Sequence, residues 1–237
     1  MIVGIHQPQY LPWLGYFDKI DRSDVFVILD NVQYKKNEWQ NRNRIKTAQR
    51  WQWITVPVLY HFPQRINEVK VANGESWNRK HLNTLLTNYH KAHYFHEYLP
   101  FFEDAYAHTW EYLADVNIHL IKYFIDAIGI KTELVLASQL RLREDPTERL
   151  VDICKAVGAD TYLSGRDGDK YMDLSKFWAE GIDVVFQGFY HPVYDQLFGE
   201  FEPNMSVVDL LFNYGPQSLE LIRRERDEYP GFGVPSR

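Results

Sequence analysis

The chain of 237 residues has almost no cysteine, since Cys154 is its single thiol. One cysteine cannot close an intramolecular disulfide, which excludes a disulfide-stapled scaffold and favours a reducing compartment. No apolar run approaches the roughly 20 residues of a transmembrane helix, so we expect no membrane insertion. Residues 1–5 lack the basic and long apolar regions of a signal peptide, so we expect a cytoplasmic location.

The chain also lacks an excess of positive charge. Lys and Arg number 26 against 32 Asp and Glu, a net charge of −6, which argues against a general nucleic-acid coat protein. Aromatic residues are abundant at 16%, with seven Trp among them. Tyr and Trp combine an apolar face with a polar group, so they suit both a core and a pocket for sugars or bases.

Strand and helix patterns alternate along most of the sequence. The apolar run 2–5 and the β-branched run 25–29 flank a helical pattern at 14–22, which predicts a βαβ start. Unbroken apolar runs are typical of strands covered on both faces of a parallel sheet. The alternation resumes with strands at 133–137, 161–163 and 184–189 and helices at 146–157, 174–179 and 206–211. The fold class is therefore predicted as α/β with a mostly parallel, Rossmann-like sheet.

Two stretches interrupt this alternation. A hairpin is expected over 42–59, and the pattern from 76 to 130 is helical, with Ser76 as its N-cap. We predict a single α/β domain over 1–226 with a helical insertion at about 76–130, followed by a loosely ordered tail over 227–237.

A loop with two prolines follows the first strand. Pro8 and Pro12 lack a backbone donor and have a fixed φ, so they hold a defined loop. Ligands bind at this carboxyl edge in open α/β sheets. The loop offers five polar or aromatic candidates for a small polar ligand: His6, Gln7, Gln9, Tyr10 and Trp13. A surface turn with aromatic packing is the alternative.

A basic cluster follows the second strand. Between Lys35 and Arg50 there are six basic residues against one acid, Glu38, and clustered Arg and Lys suit phosphate or carboxylate ligands. The candidate residues here are Asp30, Gln33, Tyr34, Asn41, Arg42 and Arg44. A solvated basic face and an RNA contact made by stacking and phosphate binding remain the alternatives.

A glycine loop follows a later strand. Ser164, Gly165, Gly168 and Tyr171 could cradle a phosphate, because glycine lets the backbone turn its N–H groups towards an anion. An ordinary turn is the alternative. Tyr194 belongs to a further polar and aromatic patch after the last strand. No Walker A, HExxH or nucleophile-elbow motif is present, and we expect neither a metal site nor a catalytic cysteine.

These clusters resemble the WbqC-like protein family. The matching segments are His6-Gln-Pro-x-Tyr-x-Pro-Trp-x-Gly-Tyr-Phe17, Gln33-Tyr34 with 39–45, 161–165 with Tyr171, and Pro203-Asn204 with 206–215. The sequence departs from the family at Arg166-Asp167, where Pro-Ser is expected. Members of the family occur in surface-polysaccharide (O-antigen) gene clusters, and a glycine-transferase role has been suggested for one. The resemblance implies an enzyme that modifies an activated sugar.

A looser resemblance is to the nucleotidyltransferase superfamily. The first strand, the proline turn and the strand ending at Asp30 carry it, although only His6 and the Pro12-Trp13-x-Gly15 turn stand where that group has an HxGH pair. A His-containing loop stabilises nucleotide phosphates in that group, and members similar to pantothenate synthetase form an acyl-adenylate. The resemblance implies ATP with Mg²⁺ as the candidate cofactor.

Together these patterns favour a transferase or ligase that attaches an aminoacyl group, such as glycyl, to an amino-sugar nucleotide. His6, Arg42 and Asp30 are the candidate catalytic residues. The candidate substrate-binding residues are Gln7, Gln9, Tyr10, Trp13, Gln33, Tyr34, Asn41, Arg44 and Tyr194. The glycine-loop residues Ser164, Gly165, Gly168 and Tyr171 are the candidate phosphate ligands. An aminoacyl-tRNA-using transferase and a non-catalytic nucleotide- or sugar-binding module are the alternatives.

Overall fold

A computed structural model describes residues 1–228 of the chain. Its strands are β1 (Ile2–His6), β2 (Val25–Ile28), β3 (Arg42–Thr47), β4 (Arg50–Thr55), β5 (Val58–Leu59), β6 (Lys70–Val71), β7 (Glu133–Leu136), β8 (Thr161–Ser164) and β9 (Asp183–Phe186). Its α-helices are α1 (Leu14–Asp21), α2 (Trp77–Tyr89), α3 (Phe95–Ala107), α4 (Leu113–Ile128), α5 (Pro146–Val157), α6 (Leu174–Ala179), α7 (Val207–Tyr214) and α8 (Ser218–Glu228). None of these helices has both the length and the apolar character needed to cross a bilayer.

Five parallel strands form the central sheet in the order β7-β2-β1-β8-β9. The central strand β1 pairs with β2 on one side, where Val3 lies opposite Val25, and with β8 on the other, where Val3 lies opposite Tyr162. The chain thus builds outwards from β1 to β7 and then returns to the other side at β8. This order confirms the α/β prediction, and it places the topological switch point between the carboxyl ends of β1 and β8.

Helices cover both faces of the sheet, which explains why its strands are continuous apolar runs. Val3 and Val27 pack with Cys154 of α5 and Phe177 of α6 on one face. Phe26 of β2 lies in the core on the opposite face. Cys154 is fully buried, and burial raises the pKa of its thiol to about 12, so it is a core residue rather than a nucleophile.

Most differences from the predicted elements lie at their ends, and two are larger. The expected hairpin over 42–59 ends at Thr55, because β5 pairs with β6 in a separate sheet. The helix α8 was not predicted. The 76–130 stretch resolves into α2, α3 and α4, but Ser76 adopts a left-handed conformation and makes no side-chain cap bond. β9 ends at Phe186, not at Phe189: the Gln187 amide makes a last bond to the Ser164 carbonyl oxygen at 2.9 Å, and its side chain turns to α1. Of the predicted tail 227–237, Asp227 and Glu228 end α8, and 229–237 lie outside the described residues.

A buried histidine joins the proline loop to α2. His81 is 6% exposed; its Nε2 lies 3.1 Å from the Thr55 carbonyl oxygen and its Nδ1 lies 2.8 Å from the Tyr10 hydroxyl. Since a carbonyl can only accept, Nε2 carries the proton and Nδ1 accepts from Tyr10. The Tyr106 hydroxyl, 2.6 Å from that of Tyr10, completes the chain of bonds. Burial lowers the pKa of His81 to about 4.

We expect His81 to make the fold sensitive to acid. The pKa of His81 is lower in the folded chain than the ordinary 6.5. Its contribution to the free energy of unfolding is therefore complete above about pH 6.5 and is lost as pH falls towards 4. The stability advantage of the wild type over His81→Phe should therefore shrink by about 2–3 kcal/mol between about pH 7.5 and about pH 4.5. Urea unfolding of both proteins at both pH values measures this difference in stability. A difference that stayed the same at both pH values would contradict a neutral His81 imidazole in the folded chain.

Candidate functional site

A cavity of about 310 Å³ opens at the switch point between β1 and β8. Ligand sites in open α/β sheets occupy this position, and the volume suits a group of sugar or diphosphate size. The lining residues are His6, Trp13, Gly15, Tyr16, Gly165, Arg166, Asp167, Gln187 and Phe189.

The turn from β1 into α1 shapes one wall of this cavity. Trp13 stands at the N-cap position of α1 and makes no side-chain hydrogen bond to the first turn. Its ring lies over Gly15, where a Cβ atom would come within 2.4 Å of the indole, so only glycine allows this close approach. The indole meets Phe189 edge to face at 5.4 Å between ring centroids. The first turn of α1 therefore borders the cavity beneath an aromatic wall.

His6, the last residue of β1, presents a neutral imidazole to the cavity. Its Nδ1 lies 3.0 Å from the Gln7 carbonyl oxygen, so Nδ1 carries the proton and Nε2 carries the lone pair. Burial, and secondly the charge of Lys19, lower the pKa of His6 to about 4. An imidazole in this state accepts a proton or a hydrogen bond, and it is not a standing cation at neutral pH.

Positive charge reaches the cavity from other groups. The N-terminal end of α1 borders it, and a helix dipole is positive there. Arg166 lines the opposite wall. Lys19 lies behind His6, 2% exposed, and donates to the Ile5 carbonyl oxygen at 2.7 Å. Burial lowers the pKa of Lys19 to about 7. The N-terminus of α1 and Arg166 therefore favour an anionic ligand.

A buried amide holds the last loop against α1. Gln187 donates from Nε2 to the Gly15 carbonyl oxygen at 2.8 Å and to Asp18 Oδ2 at 2.6 Å. Arg226 of α8 donates to the other oxygen of Asp18, which is fully buried. Burial raises the pKa of Asp18, opposed by the charge of Arg226. Asp18 and Lys19 were missed from the sequence because charged residues within a helix usually lie at the surface.

Of the four glycine-loop residues predicted to bind phosphate, Gly165 alone lines the cavity, next to Arg166 and Asp167 of the same loop. Gly165 lines the cavity, and a Cβ there would meet nothing within 4 Å. Ser164 is fully buried behind it, and a Cβ on Gly168 would lie 2.0 Å from its Oγ, so Gly168 permits close packing and no positive φ is involved. Tyr171 is 63% exposed and does not line the cavity. α6 begins only at Leu174, so no helix N-terminus follows this loop directly.

Much of the proline loop is structural. Gln7 accepts from Gln40 Nε2 at 2.6 Å, and Tyr10 is fully buried with its hydroxyl bonded to His81. Gln9 is 7% exposed. Of the five candidates in this loop, His6 and Trp13 alone line the cavity.

The basic cluster lies apart from the cavity. Arg42 and Arg44 are on the outward face of the β3–β4 hairpin and line a separate cavity of about 410 Å³. Asn41 points inwards, and its Nδ2 donates to the Val56 carbonyl oxygen at 2.9 Å. No residue lines both cavities.

The remaining candidates have partners elsewhere in the fold. Asp30 is 3% exposed and accepts from the Ser138 amide at 2.9 Å. Gln33 lines a third cavity, of about 410 Å³, beyond β2. Tyr34 meets Tyr60 edge to face at 4.9 Å between ring centroids, and burial raises the pKa of Tyr34 to about 12. The Tyr194 hydroxyl donates to buried Asp209 at 2.9 Å.

The cavity offers little to a divalent cation by itself. Within residues 1–228 no cluster of His, Cys, Asp and Glu could hold a metal ion. Asp167 is the one carboxylate among the lining residues named above, and it pairs with Lys170. An ATP phosphate fits the N-terminus of α1 and Arg166, so Mg²⁺ would be held by phosphate oxygens.

Fold and site define an α/β protein with an anion-favouring cavity at the switch point of a Rossmann-like sheet. The chain belongs to the WbqC-like protein family, whose model matches residues 7–221, which confirms the resemblance of the motifs. It is 38% identical over 229 residues to a Mycobacterium tuberculosis protein named "Uncharacterized protein Rv1507c", covering 93% of this chain and 97% of that protein. No solved structure matches the chain significantly.

Proposed function

We propose that this chain is a transferase or ligase that attaches an aminoacyl group, such as glycyl, to an amino-sugar nucleotide in surface-polysaccharide biosynthesis. The observation that carries the proposal is the switch-point cavity, in which the neutral imidazole of His6 faces the N-terminus of α1. Membership of the WbqC-like family supports the sugar substrate, because the family occurs in polysaccharide gene clusters.

The diphosphate of the sugar nucleotide is the part of the proposed substrate that matches the positive charge at the cavity. Backbone N–H groups at a helix N-terminus bind phosphate, and Arg166 adds a fixed cation. The sugar ring would lie against Trp13, whose face and polar edge suit a carbohydrate. A phosphate close to His6 would also raise the pKa of its imidazole from about 4 towards its ordinary value.

His6 is the acid–base group of the proposed reaction. The sugar amine attacks the carbonyl carbon of an activated aminoacyl group, the new C–N bond forms, and the C–O bond to the leaving group breaks. Nε2 of His6, which carries the lone pair, takes the proton that the amine loses. Arg42 and Asp30 do not line the cavity, so this mechanism gives them no contact with the reacting atoms.

Two measurements on the purified chain test the proposal. ATP–pyrophosphate exchange with glycine and other small amino acids shows whether the chain activates a carboxylate with ATP. Mass spectrometry of a UDP-amino sugar incubated with ATP and the same acids, or with aminoacyl-tRNA, should show the mass of one added aminoacyl residue. Saturable binding of the sugar nucleotide without product from any donor would favour the non-catalytic binding module and overturn the proposal.

A further inference from the structure

The outward face of the β3–β4 hairpin carries an aromatic and cationic surface that the proposed reaction does not use. Arg44 lies opposite Trp53 in the antiparallel register, which places arginines and tryptophans on one face. The surface, here called the hairpin face, consists of Trp39, Arg42, Arg44, Trp51 and Trp53.

Its side chains interleave. The guanidinium carbon of Arg42 lies 4.3 Å from the ring centroid of Trp53, and that of Arg44 lies 5.1 Å from that of Trp51. Trp39 and Trp53 have centroids 5.5 Å apart. Trp39 is 38% exposed and Trp53 40%, so large ring surfaces remain open to solvent.

The positive charge of this face is not neutralised within residues 1–228. Arg42 and Arg44 donate to the carbonyl oxygens of Asn37 and Asn204, and neither forms an ion pair with a carboxylate there. The buried Nε atoms of both arginines also lack a hydrogen-bond partner. One carboxylate, that of Glu38, stands among the residues lining the adjacent cavity.

Two other basic residues of the cluster, Lys46 and Arg50, differ in this respect. Lys46 is 2% exposed and donates to the Glu200 carbonyl oxygen, and Arg50 pairs with Glu202 at 2.5 Å. Both cations therefore have partners within the fold. Of the six basic residues, Arg42 and Arg44 are the two that line the cavity beside the exposed rings.

The hairpin holds this face on a rigid base. Its inward residues Ile45 and Ile54 lie in the core, at 0% and 2% exposure, and Asn43 Nδ2 donates to the Leu11 carbonyl oxygen at 2.7 Å. Arginine and tryptophan side chains that are already stacked lose little conformational freedom when a ligand arrives.

We propose that the hairpin face is a second ligand site, which binds a nucleotide unit with its base stacked on Trp39 and Trp53 and its phosphate on Arg42 and Arg44. The adjacent cavity of about 410 Å³ can hold such a group. A flat ring joined to an anion uses both features, whereas a neutral sugar leaves the arginines unused and a phosphopeptide leaves the open rings unused. The site stands independently of the proposed function, since it shares no residue with the switch-point cavity.

The seven tryptophans of the chain allow both sites to be observed together. In protein labelled with 5-fluorotryptophan, adenosine 5′-monophosphate should shift the ¹⁹F resonances of Trp39 and Trp53. Trp178, 46% exposed on α6, serves as the unaffected control, and Trp13 reports separately on the switch-point cavity. A response of Trp13 alone, or no saturable response, would overturn this inference and leave the proposed function to its own test.

Variants test the chemistry of the site. Trp53→Leu should weaken binding roughly 5- to 150-fold, the range for loss of one base–aromatic stack. Trp178→Leu, a matched exposed tryptophan, should bind as the wild type does. Arg42→Gln with Arg44→Gln provides a second test without removing an aromatic ring, and unchanged affinity in that double variant would overturn the inference.

Two probes distinguish an RNA end from a free nucleotide as the source of the nucleotide unit. A single-stranded tetra-adenylate that binds much more tightly than adenosine 5′-monophosphate, with a steeper loss of affinity in salt, identifies an RNA end as the source. Equal affinities and equal salt dependence identify a free nucleotide. Both results support a nucleotide site on the hairpin face.

Discussion

His6→Asn is expected to lower aminoacyl transfer about 10²- to 10⁴-fold, the contribution typical of a positioned acid–base group. Asparagine has no titratable nitrogen to take the proton from the attacking amine. The imidazole lines the cavity, and its hydrogen bond goes to the adjacent Gln7 carbonyl, so the fold should survive the change. Steady-state kinetics with the UDP-amino sugar measure the effect.

The control is His90→Asn, which removes an exposed imidazole at the end of α2. It should leave turnover and stability unchanged. The pH profile adds a second readout, because the limb due to His6 should vanish in His6→Asn and persist in His90→Asn. Turnover at the wild-type rate in His6→Asn would remove His6 from the mechanism.

Asp209→Leu is expected to destabilise the fold by about 3–5 kcal/mol, because three buried donors lose their acceptor. Asp209 is fully buried and accepts from the Tyr89 hydroxyl, the Tyr194 hydroxyl and Gln196 Nε2, each at 2.9 Å. The Tyr89 hydroxyl in turn accepts from the Lys46 amide of β3 at 2.9 Å. The network thus joins α7 and α2 to the base of the hairpin.

Urea unfolding near neutral pH measures the loss. Burial raises the pKa of Asp209 to about 6, opposed by its three donors, so the carboxylate is mostly ionised at about pH 7.5. Asp195→Ala, at an exposed carboxylate in the loop that contains Tyr194, is the control and should stay within about 0.5 kcal/mol of the wild type. An equally small loss in Asp209→Leu would mean that Tyr89 and Tyr194 find other acceptors.

The sheet and its helices could be predicted because their signals are local. The run Val25–Ile28 is apolar at every position, as a strand covered on both faces must be. Asp145 caps α5 and Pro146 occupies its first turn, so its bounds followed directly from the sequence. Gly129 ends α4 in a left-handed conformation, close to the end of the helical stretch predicted over 76–130.

Buried polar groups could not be predicted in the same way. Lys19 and Asp18 are neighbours on α1, and nothing in their spacing separates them from solvent-facing helix residues. Lys19 is buried because β8 places Tyr162 against it, with 5.7 Å between Nζ and the ring centroid. Asp18 is buried because α8 returns to cover it with Arg226. Both effects depend on segments distant in the chain.

The sequence by itself determined the class of fold, the strand and helix segments, and three groups of polar residues that follow strands. Only the tertiary structure decided which of these groups meet. The strand order places His6 of β1 near Gly165, the residue after β8, since parallel neighbours end at the same edge. The antiparallel register of the hairpin turns Arg42 and Arg44 outwards, onto a surface of their own. Strand pairing and core packing bring distant segments together, and local sequence patterns specify neither of them.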